Sequence, residues 1–227
     1  MKINKLLDIW KWGLLISILG FLGCAGPSLY SVNMYYDADQ ASIPAYLKAD
    51  KASSAIISIA EFTDMRQMDD RLVIGHVVEK DGMKNLVFPK NIKATKAVSK
   101  GIKEYLRKAG YKVSDKIVQW DLKEGTMPKE DFKILIGGNI DELEISCRRD
   151  FPTNTYATNM KLTIVFADMA KGKILYQSKV ESSYTKEYFW FSEENLGEQA
   201  GIALGDAIEK LFEDKVVAQK LKEAIAQ

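Results

Sequence analysis

Histidine and cysteine are almost missing from this chain of 227 residues, which holds one His and two Cys. A metal centre of the His/Cys type needs several such ligands, so the count excludes one. The single histidine, His76, has no nucleophile-elbow motif beside it, which removes the ordinary serine-triad arrangement. Neither a Walker loop nor a GxGxxG after a strand pattern occurs, so the usual phosphate cradles are absent. Charge of one sign is missing too. The 32 basic and 31 acidic residues leave a net charge of +1, with no global pull toward nucleic acid. No apolar run reaches the ~20 residues that a helix needs to cross roughly 30 Å of hydrocarbon. Repeats and low-complexity tracts are also lacking. Hydrophobic residues make up 47%, which suits a globular domain and excludes a disordered chain. The chain therefore reads as a non-enzyme, with no catalytic residues, no metal site and no cofactor.

What is present begins at the N-terminus. Lys2, Lys5 and Lys11 form a basic start, an apolar run follows from Trp12 to Gly23, and Cys24 comes next. A positive region, a short apolar region and a small residue before the cut make up a secretory signal peptide. Cys24 directly after Gly23 resembles the lipobox of bacterial lipoproteins, with Phe21 where Leu is usual. The resemblance implies that the Cys24 thiol is lipidated and the chain cut before it. An ordinary signal peptide cut near Ala25 is the alternative. With Cys24 acylated, Cys147 has no partner. It falls on the apolar side of an alternating strand, as a buried and inert cysteine would.

The expected organisation is a signal peptide over 1–23, a lipidated cysteine and flexible tether over 24–52, one domain over 53–213 and a helical tail over 214–227. The tether reading rests on turn formers without a sustained period. An Ile-rich strand spans Ser54–Phe62, followed by a polar loop and a hairpin over 72–88 around Asp81-Gly82. A helix over about 91–109 carries Ile92, Val98, Ile102 and Leu106 on one stripe and ends at Gly110. Three long strands then form an antiparallel meander, with Gly137-Gly138 expected at a bulge and Lys171-Gly172 in a turn. A last main helix begins after the Ser192 cap. Its Gly197, Gly201 and Gly205 form a small-residue stripe, expected to pack closely on the sheet. The fold class is α/β (α+β): a mixed, largely antiparallel sheet with two main helices packed on it.

Two segments stand out as candidate partner-binding sites. Asp64 and Arg66 follow the first strand, where they can latch the loop or form a docking charge cluster. Tyr188-Phe-Trp-Phe191 precedes the last helix. Tyr188 and Trp190 suit an interface, and the same run suits a staple beneath a helix start. In an extended run Trp190 would face away from Phe189 and Phe191.

These features in order resemble the YajG-like lipoprotein family of Gram-negative bacteria. They are the cysteine at 24, the strand ending in Phe62-x-Asp64-x-Arg66, Ile74-Gly75, a helix closed by Ala109-Gly110-Tyr111, the meander and the terminal helix. The resemblance implies a lipid-anchored, non-catalytic binding or assembly module of the periplasm that works on an envelope protein partner. It leaves a homo-oligomer open. Ala25 after the cysteine points to the outer membrane by the enterobacterial sorting rule. The alternative is an auxiliary lipoprotein of lipid or small-molecule transport, which needs an apolar pocket between sheet and helices.

Overall fold

A computed structural model describes residues 28–50 and 54–226. Its strands are β1 (Tyr30–Val32), β2 (Ile56–Ile59), β3 (Thr63–Asp64), β4 (Gly75–Val78), β5 (Lys84–Pro89), β6 (Lys112–Val113), β7 (Ile134–Arg149), β8 (Asn154–Asp168) and β9 (Lys173–Tyr188). The helices are α1 (Ala94–Lys108), α2 (Glu193–Glu213) and α3 (Lys215–Ala226). All nine strands belong to one mixed sheet.

The sheet is organised by β7. Along one edge it pairs antiparallel with β8 over its whole length, and β8 pairs in the same sense with β9. Along the other edge, β2, β3 and β4 run end to end, each parallel to β7. The hairpin partner β5 extends this side, β1 adds to β5 in parallel, and β6 adds to β2. The meander, the hairpin at Asp81-Gly82 and the mixed, largely antiparallel sheet agree with the sequence reading.

One face of the sheet carries all three helices. Ala97, Val98, Ile102, Tyr105 and Leu106 of α1 are buried, as their spacing requires. Ile92 lies before the helix start and is exposed, so it is not part of that stripe. Gly110 takes φ +94°, and the amides of Gly110 and Tyr111 close the helix on Arg107 O and Leu106 O. In α2 the Ser192 hydroxyl accepts from the Asn195 amide, which makes it the cap. The segment after 213 is no loose tail: Val217, Ala218, Leu221 and Ala224 of α3 are buried in the main core.

Among the described residues, the opposite face is covered only toward one end, where Val118 and Trp120 pack on Leu135, Val165 and Ala167. The burial pattern of β8 records the change. It alternates from Asn154 to Lys161 and is continuously buried from Leu162 to Asp168. The Gly137-Gly138 pair sits where both faces are covered. A Cβ on Gly137 would lie 2.9 Å from the Trp120 ring, and one on Gly138 would lie 2.4 Å from the Phe62 ring. The expected bulge is elsewhere, between Ile140 and Glu142. Close approach of rings explains the glycine pair.

The tether reading needs correction over residues 28–50. These residues form a strap laid across the helices. Val32, Met34, Tyr36 and Ala38 are buried at alternate positions, and Leu47 is fully buried further on. The strap is also where the glycine stripe of α2 is used. A Cβ on Gly201 would lie 2.3 Å from Tyr35 O, one on Gly197 3.0 Å from Asn33 O, and one on Gly205 2.9 Å from the Tyr36 ring. The stripe receives the strap backbone, not the sheet. Tyr36 also packs on Gly101 of α1 and donates from its hydroxyl to Glu209 at 3.3 Å.

Candidate functional site

Strand direction brings four chain segments to one end of the sheet. The β4–β5 turn, the β7–β8 loop and the β9–α2 loop all lie there, because Val78 pairs with Lys84 and Arg148, and Asn154 pairs with Arg149 and Tyr188. The strap enters at the same end: the Ser28 amide donates to Asn85 Oδ1 at 2.9 Å.

A polar and aromatic layer holds these segments together. Glu79 accepts from Arg149 at 2.9 Å and from the Tyr30 hydroxyl and the Asn85 amide, each at 3.1 Å. Arg149 stacks over Phe191 at 4.9 Å, and Tyr30 meets the same ring edge-on at 5.1 Å. Tyr156, fully buried, meets Tyr188 edge-on at 5.2 Å. Its hydroxyl donates to Trp190 O at 3.4 Å and accepts from the Ser192 amide at 3.0 Å. Asn154 donates to Tyr188 O and Phe189 O. The backbone of 188–192 is thus clamped from beneath.

Above the clamp, large apolar side chains stand in solvent. Phe151 is 87% exposed, Trp190 84%, Phe189 73% and Leu29 68%. The two-sided expectation for the aromatic run is therefore corrected. Residues 189 and 190 form a bend, so Phe189 and Trp190 point out together while Tyr188 and Phe191 pack inward. Tyr188 donates to Glu198 at 2.9 Å and accepts from Gln199 at 2.9 Å, so its hydroxyl serves the start of α2. Phe151 escaped the sequence reading. Its signal was the Phe-Pro pair that breaks the strand alternation after Arg149.

Asp64 and Arg66 lie elsewhere and form a latch. The Arg66 guanidinium is buried and pairs with Asp64 through Nε at 2.9 Å and Nη2 at 2.7 Å. Its remaining donors reach the carbonyls of Arg71, Val73 and Leu143. Every guanidinium nitrogen is engaged within the chain, so the docking reading of Arg66 gives way to the structural one. Cys24 lies outside the described residues.

Other sequence candidates have structural surroundings. His76 lies on the open face of the sheet and pairs with Glu144. Cys147 is free and fully buried, and burial pushes its thiol up to about 11. Among the described residues there is no group of three or more His, Cys, Asp or Glu placed to hold a metal, and no helix long and apolar enough to cross a membrane. Between the sheet and the α1–α2 pair, Tyr105 stacks on Phe212 at 5.0 Å, and Phe212 meets Phe166 edge-on at 6.3 Å.

No protein-family model matches the sequence, and no curated protein matches it, so the YajG-like resemblance rests on its residues alone. The solved structures do show relatives in fold. The Xanthomonas campestris protein XCC0632, of family DUF330, is similar at TM-score 0.50 and 9% identity, covering 86% of this chain and 98% of that one. This likeness places the chain in an α+β architecture that the Xanthomonas protein shares. Looser matches include lipoprotein GNA1162 of Neisseria meningitidis at TM-score 0.29, with 12% identity over 67% of this chain and 96% of that one. Another is a Paraburkholderia phytofirmans PelC variant crystallised as a dodecamer, at TM-score 0.38, with 10% identity over 71% of this chain and 94% of that one. These two scores are too low to carry an argument about this chain.

Proposed function

We propose that this protein is a non-catalytic lipoprotein of the bacterial cell envelope, anchored through Cys24, whose domain works as a binding or assembly module in the periplasm. The observation that carries the reading is the clamped aromatic end. Exposed Phe and Trp rings on a fixed backbone lose little freedom on binding, which is the property of a docking surface. The lipobox-like Gly23-Cys24 supports a membrane-anchored domain, and Ala25 supports the outer membrane by the enterobacterial sorting rule. The transport alternative has less behind it: among the described residues an apolar recess of about 250 Å³ lies between β2 and α1, lined by Ile59, Ile92 and Ile117, and it is smaller than the ligand pockets of about 300–1,000 Å³ that such a role uses.

The anchor is tested by labelling cells with a palmitate analogue. The wild-type chain should take up label, and Cys24→Ser should lose it. Label retained by the Cys24→Ser variant refutes the lipoprotein reading. Capture from solubilised envelopes with the acylated protein then identifies the protein partner.

A further inference from the structure

We infer that the aromatic end is seated in the membrane interface, so that the occupant of this surface is the headgroup and upper acyl region of the bilayer carrying the anchor. The inference rests on the anchor at Cys24 and deepens the binding reading by naming the bilayer, not a protein, as what the aromatic end binds; a protein partner then meets the domain on another surface. Three observations carry it.

The first is reach. The strap is fixed to the domain from Ser28, whose amide is bonded to Asn85. Cys24 precedes Ser28 by four residues, and a fully extended chain of that length spans at most about 14 Å. A longer, free tether would let the domain stand off from the lipid. A leash this short holds this end of the sheet, and no other, against the surface.

The second is composition. The side chains at the held end are Leu29, Phe151, Phe189 and Trp190, all at least two-thirds exposed. Trp favours the membrane–water boundary, where its apolar ring and its polar N–H are both satisfied, and Phe and Leu add apolar area that sinks into the acyl boundary. In water these side chains leave large apolar areas exposed at one end of the sheet.

The third is charge. Lys80, Lys84, Arg148 and Lys186 at this end face Asp81, Asp150 and Glu187, with Arg148 paired to Asp150 at 3.0 Å, and Glu193 and Glu194 follow in the first turn of α2. The surface is close to neutral. An anionic headgroup is therefore not its requirement, and the association draws on ring burial.

The test uses the two tryptophans that remain after cleavage before Cys24. Trp120 is buried at the covered part of the opposite face, and Trp190 is exposed. The processed, acylated protein is reconstituted through its own anchor into phosphatidylcholine vesicles with brominated acyl chains. Trp190 emission should shift to shorter wavelength and be quenched by the bromine, with no reversal at high salt. Trp190→Phe should lose the bromine-quenched component and leave the Trp120 signal. Trp190 quenched by aqueous iodide but not by bromolipid, in the anchored and acylated protein, overturns the inference while leaving the lipoprotein reading intact. Iodide-accessible rings that become protected only when a protein partner is added overturn it equally. A chain with no acyl group on Cys24 overturns both.

Discussion

Replacing Gly201 by Ala separates two opposed effects. In an ordinary helix interior the change stabilises by about 1 kcal/mol, because Ala is the better helix former. Here the new methyl would sit 2.3 Å from Tyr35 O, well inside contact distance, and that neighbour is backbone. The strap cannot swing aside cheaply, because Met34 and Tyr36 on either side are buried. Overpacking of this kind costs about 1–3 kcal/mol, and losing one buried strap side chain costs about 1.5–3 kcal/mol more. Set against the gain of about 1 kcal/mol, the net expectation is destabilisation by about 1.5–5 kcal/mol. Gly197→Ala meets Asn33 O at a looser 3.0 Å and should cost less. Urea denaturation followed by circular dichroism measures both. Hydrogen exchange should show faster opening of amides 33–36 in Gly201→Ala than in wild type. A Gly201→Ala protein about 1 kcal/mol more stable than wild type would refute the strap packing.

Arg66→Ala should leave Asp64 and the carbonyls of Arg71, Val73 and Leu143 without their donor, at a cost of about 3–5 kcal/mol in urea unfolding. A loss under about 1 kcal/mol would mean that the latch is replaced by water. The Cys147 thiol, held up to about 11 by burial, should react slowly with a thiol reagent at pH 8 and quickly once unfolded, since only the thiolate attacks; fast native labelling contradicts the burial. Trp190→Ala and Phe189→Ala should each change stability by no more than about 0.5 kcal/mol, as exposed positions do. Phe191→Ala removes the ring between Tyr30, Tyr156 and Arg149, and should cost clearly more. Equal costs at 189, 190 and 191 would sink the clamped-loop picture.

The meander was legible because period-two patterns in 134–188 are long and a Lys-Gly turn divides them. The helices were legible because their stripes end at signals with one meaning, Gly110 and Ser192. What could not be read were pairings with distant partners. The parallel seating of β2, β3 and β4 on β7 joins residues with no local relation, and no turn type announces it. The strap's alternation at Val32, Met34, Tyr36 and Ala38 was present in the sequence, but polar and turn-forming neighbours masked it. Its receiving groove, the glycine stripe, lies more than 160 residues away. The stripe was recognised as a place of close approach and assigned to the wrong partner. At the aromatic end, the run 188–191 was visible. Its true division into inward and outward rings depended on a bend that an extended reading does not contain.

The strap also sets an order of events. Its amide at Ser31 bonds Glu193, and its Tyr36 hydroxyl bonds Glu209, so its seat is completed only by the last part of the chain to be made. A chain made N-terminus first therefore presents residues 28–50 long before their groove exists. Closing so large a loop is slow relative to local helix and hairpin formation. Until it closes, the apolar side chains of the strap and the glycine groove are both bare. During that interval a second copy's strap fits the groove as well as the chain's own, so exchange of straps between copies is the misassembly that this arrangement invites.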